Sequence, residues 1–274
     1  MNVILGIDIG GSTTKIVGYW ENGERIGALQ VKATDQITSL YGAIGNFTST
    51  NNISIKAVSQ IIITGVGASF VSGDIYDIPT RRVDEFKAIG IGGLALSGKK
   101  EAIVVSMGTG TAYVRATVDS VVHIGGSGVG GGTLIGLSEK LLKENNFDMI
   151  NQLAKDGNLL NVDLTIQDIS KDVIPNLPPD TTASNFGKIK SLATTSDLAL
   201  GLINMVFQTI GMLAVFACRN DSIKDVVLIG ALTEIPQAEE LFSIFKNLYN
   251  IEFTIPENAI YATAIGAALQ YVKN

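Results

Sequence analysis

The pattern that most restricts the fold is a repeat. Val3, Ile4, Leu5 and Ile7 read as a buried first strand, Gly10 and Gly11 as a tight turn, and Lys15 to Trp20 as the return strand. About 100 residues later the plan recurs. Ala102 to Met107 is an apolar run, Gly108-Thr-Gly-Thr111 is a turn, and Ala112 to Ala116 with Ser120 to Ile124 suits a hairpin. Two such units predict two related lobes, each presenting its turn to one ligand. Strands alternating with helices through the rest of the chain place it in the α/β class.

The turns carry the chemistry. Asp8 closes the first strand, and Gly10 and Gly11 permit close backbone approach. Ser12, Thr13, Thr14 and Lys15 add hydroxyls and one positive charge. An anion fits over such a turn, and the phosphate tail of a nucleotide is the expected one. Asp8 is placed to position magnesium there, directly or through water. Neither GxGxxG nor GxxxxGK[ST] occurs within residues 6–15. A third run, Gly125 to Gly132, has six glycines in eight residues. Its amides are expected to point inward, and it feeds an amphipathic helix from Thr133 to Lys143.

Between these segments the chain reads as a strand at Arg25 to Lys32, a helix over 35–47, and a strand at Ile61 to Thr64 ending in Gly65-Val-Gly67. A loop surrounds Ile78-Pro79, and a glycine-containing helix runs from Asp84 to Leu96. Residues 145–185 form a polar, helical excursion broken by Pro175 and Pro178-Pro179. Helical sequence covers 194–219, a strand runs from Val226 to Ile229 and ends in Gly230, and helices follow at Glu234 to Asn247 and Ala259 to Val272. The first lobe is expected to span 1–98 and regain a helix at 258–274, with the second at 99–257 and a crossover at Gly98-Lys-Lys100.

The net charge is −6, with no basic tail, zinc-ligand cluster or arginine-rich helix, which excludes a nucleic-acid binder of the usual kind. Cys218 is the only cysteine and lies in an apolar run, so it reads as a buried helical thiol. Leu198 to Phe216 is apolar, but Asn204 and Gln208 interrupt it, so a core helix is expected rather than a membrane span. No basic stretch precedes an apolar one at the N-terminus. These features point to a cytoplasmic protein.

Taken in order, Gly6-Ile-Asp-Ile-Gly-Gly11, Asp84-Glu-Phe86, Gly108-Thr-Gly-Thr111, Gly125 to Gly132, Asp180-Thr-Thr-Ala-Ser-Asn-Phe-Gly187, Ile229-Gly230 and Ala264-Ile-Gly-Ala267 resemble the type II pantothenate kinases. The resemblance covers nearly the whole chain. It implies a two-lobed actin-like (ribonuclease H-like) ATPase fold with an interlobe cleft, related to actin, hexokinase and Hsp70. It implies a homodimer that uses ATP and magnesium to phosphorylate pantothenate, the first step of coenzyme A synthesis. Asp8 then organises Mg2+, and Gly10, Gly11, Ser12, Thr13 and Lys15 form the first phosphate turn. Gly108, Thr109, Gly110 and Thr111 form the second, and Gly130, Gly131, Gly132 and Gly230 contact the nucleotide. Glu85 is the catalytic base, with adjacent Asp84 as its rival, and Thr109, Ala112 and His123 lie at the acceptor.

The match departs from the family in two places. The family carries an arginine before the glycine-rich run, where this chain has His123, its only histidine. A neutral imidazole donates one hydrogen bond and cannot reproduce a bidentate guanidinium contact. Ala112 stands where the family places a hydroxyl. Arg81, Arg82 and Arg115 are the candidate replacement cations. Two other readings therefore stay open: a kinase for another small hydroxyl acceptor, such as pantetheine or a sugar-like compound, and a nucleotide-dependent switch or activator ATPase. An iron–sulfur activator needs more thiolates than Cys218 supplies. The helices after residue 194 admit two roles, a dimer surface or internal packing.

Overall fold

A computed structural model describes residues 2–33, 35–172, 174–175 and 177–272. The last two positions of the expected C-terminal helix, 273 and 274, and residues 173 and 176 of the excursion lie outside that description. The first sheet uses β1 (Val3–Ile9), β2 (Thr13–Trp20) and β3 (Arg25–Lys32); after α1 (Gln36–Thr50) it adds β4 (Val58–Thr64) and β5 (Thr80–Arg82). Its order is β3-β2-β1-β4-β5. The first three strands are antiparallel neighbours, while β4 is parallel to both β1 and β5.

After α2 (Glu85–Ser97), the second sheet repeats this plan with β6 (Glu101–Met107), β7 (Thr111–Thr117) and β8 (Val121–Ser127). Next come α3 (Gly131–Leu142), α4 (Phe147–Ala154), β9 (Leu164–Thr165), α5 (Ile166–Ile169), β10 (Thr182–Ser184) and α6 (Thr195–Asp221). The chain ends with β11 (Asp225–Ile229), α7 (Gln237–Tyr249), β12 (Glu252–Thr254) and α8 (Ala262–Leu269). The order β12-β11-β6-β7-β8 has the first sheet's topology, with β11 parallel to β6 and β12 and the hairpin strands antiparallel. The repeat read in the sequence is thus a repeat of sheets.

Packing follows from which strand faces are apolar. Val3, Leu5, Ile7 and Ile9 of β1 point to one side and meet Leu40, Ile44 and Phe47 of α1. Ile4 points to the other, with Ala264, Ile265 and Ala268 of α8. A Cβ on Gly6 would overlap the Ala264 carbonyl oxygen, so a bare backbone is what lets α8 lie on β1. In the second sheet, Ile103, Val105 and Leu228 pack under α6, while Val104, Val114 and Val227 face α2 through Ile89. Helices α2 and α8 therefore lie between the two sheets, and α2 belongs to both cores: Ala88 packs with the first and Ile89 with the second.

Several expectations need correction. The helix expected from Glu234 starts at Gln237, because Ala231–Glu234 is a 3-10 turn and Pro236 occupies the N-cap. The final helix starts at Ala262, after a 3-10 turn over Ala259–Tyr261. Gly125 to Ser127 extends β8 rather than forming a turn. The excursion over 145–185 contains the two-stranded ribbon β9–β10. Edge strands β5 and β12 were not read in the sequence, being three residues each and too short to show a period.

Helix α6 is one unbroken 27-residue helix. Thr194 opens it with a reciprocal cap, accepting from the Asp197 amide at 3.2 Å while its own amide donates to Asp197 Oδ2 at 2.8 Å. Among the described residues it is the one helix long and apolar enough to cross a membrane, yet 61% of its apolar window is buried inside the protein. That burial is the core helix expected from Asn204 and Gln208.

One polar cluster fastens α6 to the segment Asp180 to Gly187. Asp163 has no exposed surface. It accepts from Asn204 Nδ2 at 2.8 Å, Phe186 N at 2.9 Å, Thr182 Oγ1 at 3.0 Å and Asn185 Nδ2 at 3.3 Å. Removing the carboxylate takes the acceptor from the buried Asn204 amide and from three part-buried donors, and a stranded buried donor costs about 1–3 kcal/mol. Asp163→Ala is expected to lose about 3 kcal/mol or more, read as a lower urea midpoint. Asp163→Asn, which keeps one acceptor oxygen, is expected to lose less.

Candidate active site

The two glycine turns face one another. A Cβ built on Gly11 would lie 3.6 Å from Thr109 Oγ1, so the first turn of one sheet meets the second turn of the other. Gly10 closes its turn by donating to Thr13 O at 3.0 Å, and Gly108 does the same to Gly110 O at 2.9 Å. Among the described residues no backbone carbonyl accepts from the amides of Gly11 or Thr109. Both residues are exposed, as is Ser12, so these donors are open to an anion.

The third glycine run plays a different part from the one expected. Gly131 donates to Gly108 O at 2.8 Å, Gly132 to Thr109 O at 2.9 Å, and Gly130 to Thr133 Oγ1 at 3.3 Å. Those amides do not point into the site as free donors. They buttress the second turn from behind, and a Cβ on Gly130 would fall 2.7 Å from Thr109 O. Thr111, buried, donates to Val129 O at 2.8 Å and ties the same two segments together. Gly230 sits at φ +96°, and a Cβ there would come within 2.7 Å of Met107 O, so it lets β11 end against the start of the second turn.

Asp8 lies opposite Lys15 across β1 and β2, and opposite Thr64 across β1 and β4. Burial raises its carboxyl above the ordinary range, and the Lys15 charge partly offsets this. Lys15 is only 7% exposed. A residue missed in the sequence reading completes this corner. Gly65, at φ +87°, runs so close that a Cβ would lie 2.5 Å from Asp8 Oδ1 and 2.6 Å from Ile9 O. Its signal, a glycine ending an apolar strand, was present but not assigned to Asp8.

Glu85 is the first residue of α2 and partly buried. Desolvation, then the charge of Asp8, then that of Asp84 push its carboxyl up to about 7. Asp84 is the exposed N-cap, and its Oδ1 accepts from Lys87 N at 2.8 Å. Two desolvated acids suit a cation. Among the described residues no group of three or more His, Cys, Asp or Glu gathers. Magnesium, held by one or two carboxylates with water and phosphate completing its shell, fits such a donor set.

His123 is exposed on β8 and its ring stacks on Phe86, with centroids 3.8 Å apart. Ala112 lies opposite Gly126 across β7 and β8 and is partly buried. Two candidate replacement cations are engaged elsewhere. Arg81 lies 5.6 Å over the Tyr271 ring, and Arg115 Nε is 3.5 Å from Asp221. Arg82 ends β5 on the surface. Cys218 is buried, and desolvation first, then Asp225 and Asp221, push its thiol up to about 12, so it is no ready thiolate ligand.

Comparison with known proteins agrees with this arrangement. Solved structures share the fold: the activator of 2-hydroxyisocaproyl-CoA dehydratase from Clostridium difficile, with a TM-score of 0.70 at 13% identity, covers 98% of this chain and 94% of its own. The ROK hexokinase from Thermus thermophilus, with a TM-score of 0.56 at 12% identity, covers 97% of each. The chain thus has an actin-, hexokinase- and ROK-like α/β fold with two sheet-containing lobes. Residues 101–270 match the Fumble family. The type II pantothenate kinase of Oceanobacillus iheyensis is 30% identical over 97% of this chain and 98% of that one. The type II pantothenate kinase of Bacillus cereus is 28% identical over the full length of both. With that coverage and those facing turns, this chain belongs to the type II pantothenate kinase family.

Proposed function

We propose that this protein transfers the γ-phosphoryl group of ATP to the primary hydroxyl of pantothenate, the first step of coenzyme A synthesis. The observation that carries the reading is Glu85. It stands at the start of α2, half out of water, within electrostatic reach of Asp8 beside two facing glycine turns. In this reading the lobes divide into 1–98 with 258–274, and 99–257. ATP and acceptor occupy a cleft between them, and closure excludes water.

The residues divide the work. Glu85 orients the acceptor hydroxyl and takes its proton as the new O–P bond forms and the bond to ADP breaks. Open amides on the Gly10-Gly11 and Gly108–Thr111 turns, with the Lys15 charge, stabilise the equatorial phosphoryl oxygens. Asp8 would hold magnesium, directly or through water, and the ion would neutralise charge on the phosphates. The enzyme works in the cytoplasm as a homodimer. The apolar Leu213 and Phe216, exposed on α6, support a subunit contact there.

A second reading has its own support. His123 and Ala112 stand where the family has an arginine and a hydroxyl, and Arg81 and Arg115 are held elsewhere. These departures favour a related hydroxyl acceptor over pantothenate itself. The test is acceptor-dependent ADP formation with magnesium ATP, comparing pantothenate, pantetheine and small sugars. Pantothenate-dependent ADP is expected. ADP with another acceptor only would replace the substrate, and nucleotide binding without ADP for any acceptor would sink the kinase reading.

A further inference from the structure

The first turn of α2 carries more than Glu85. Phe86 follows it, and its ring lies flat on the His123 imidazole at 3.8 Å with 13° between planes. Matching periods build the stack. Phe86 and Gly90 are one helical turn apart on α2, and Val121 and His123 are two apart on β8. A Cβ on Gly90 would fall 2.7 Å from Val121 Cγ1, so glycine there brings helix and strand close enough for the rings to meet. Strand β8 also bulges: His123 pairs with Val114 and Gly125 with Tyr113, leaving Ile124 unpaired. Such a bulge re-aims the strand end beside a site.

We propose that Phe86 is a positioning residue for acceptor specificity: it covers one face of His123 and presents the imidazole edge to the acceptor's end remote from the reacting hydroxyl. This rests on the kinase reading above. An imidazole edge offers a single hydrogen bond where a guanidinium offers a bidentate pair. The acceptor class that fits is a small primary alcohol whose far end carries any hydrogen-bonding group, charged or neutral. The site therefore discriminates weakly between a carboxylate and its neutral counterpart.

The chain has one histidine, so untagged protein gives a single imidazole Hε1 resonance. In the wild type that signal is expected to carry an upfield ring-current shift and to move when acceptor saturates the enzyme. Phe86→Leu is expected to abolish the ring-current shift and raise the acceptor KM about tenfold, more than it lowers kcat. Phe86→Tyr, which keeps the ring, is expected to restore both. Pantothenate and pantothenol, which has a hydroxymethyl group in place of the carboxylate, are expected to differ less than tenfold in kcat/KM. If the wild type turns over no acceptor, the kinase reading falls and this one with it. Normal turnover with an imidazole signal blind to saturating acceptor overturns the Phe86 role alone. So does a Phe86→Leu acceptor KM equal to wild type, or a hundredfold preference for the carboxylate.

Discussion

Glu85→Gln is expected to lower kcat by about a hundred- to ten-thousand-fold, the usual worth of a positioned general base. Its nucleotide affinity is expected to stay near wild type, since the turns and Asp8 are untouched. Gln keeps the shape and one acceptor oxygen but cannot take the proton. A loss of only a few-fold, measured with saturating ATP and acceptor, would move the proton to another group. The same variant has a second signature in the absence of magnesium. Glu85's carboxyl is raised from 4.5 to about 7 on folding, so the folded state favours the protonated form. Above pH 7 the folded protein bears the full cost of the buried charge. Between pH 7 and 4.5 the cost shrinks as the folded-state carboxyl takes up its proton, and below 4.5 it vanishes because both states are neutral. The shift corresponds to roughly 3 kcal/mol, and about half that once screening at a partly exposed site is counted. Glu85→Gln is therefore expected to melt higher than wild type at pH 8 and at the wild-type temperature at pH 4. Lower activity with higher stability is the mark of a residue kept for chemistry. A variant that is both inactive and less stable at pH 8 would mark a structural role.

What the sequence made legible, and what it did not, divides along range. The two sheets could be read because each begins with the same local signal, an apolar strand ending in glycine and hydroxyls, and strand periods survive in seven or eight residues. Glu85 and Asp8 were legible as residues of motifs. Their mutual influence was not, because it depends on the fold bringing two residues 77 positions apart within reach of each other's charge. The glycines at 130–132 show the opposite error. Composition suggested open amides, but backbone carbonyls of the second turn, some twenty residues away, had already claimed two of them. Asp163 gave no sequence signal, since its four partners come from the 182–186 segment and from α6. The Phe86–His123 stack escaped for the same reason: it joins a helix period to a strand period in different parts of the chain.

Glycine substitution separates the close packing of α2 on α8 from ordinary helix propensity. On α2 and α8, Gly92 and Gly266 face each other so closely that a Cβ on Gly92 would overlap the Ala262 carbonyl oxygen, and one on Gly266 the Ala88 carbonyl oxygen. Both clashes are with helix backbone, which has no rotamer to yield. Overpacking costs typically about 1–3 kcal/mol where side chains can shift, so about 3 kcal/mol or more is expected for Gly92→Ala or Gly266→Ala. That corresponds to a melting temperature roughly 6–12 °C lower. The control is Gly42→Ala in α1, where an added Cβ meets nothing within 4 Å. There alanine removes the conformational cost of glycine in a helix, a gain of about 0.5–1 kcal/mol. One substitution type is thus expected to have opposite signs at the two places. In the proposed reaction the same crossing bears on the spacing of the two acids. Helix α2 begins with Glu85, and α8 rests on β1 at Gly6, two residues before Asp8. Any Gly92 or Gly266 variant that folds is expected to lose turnover as the two acids move apart, even well below its melting temperature. Melting within 2 °C of wild type together with normal turnover would mean that α8 can slide on α2, and that the spacing of Asp8 and Glu85 is fixed by some other contact.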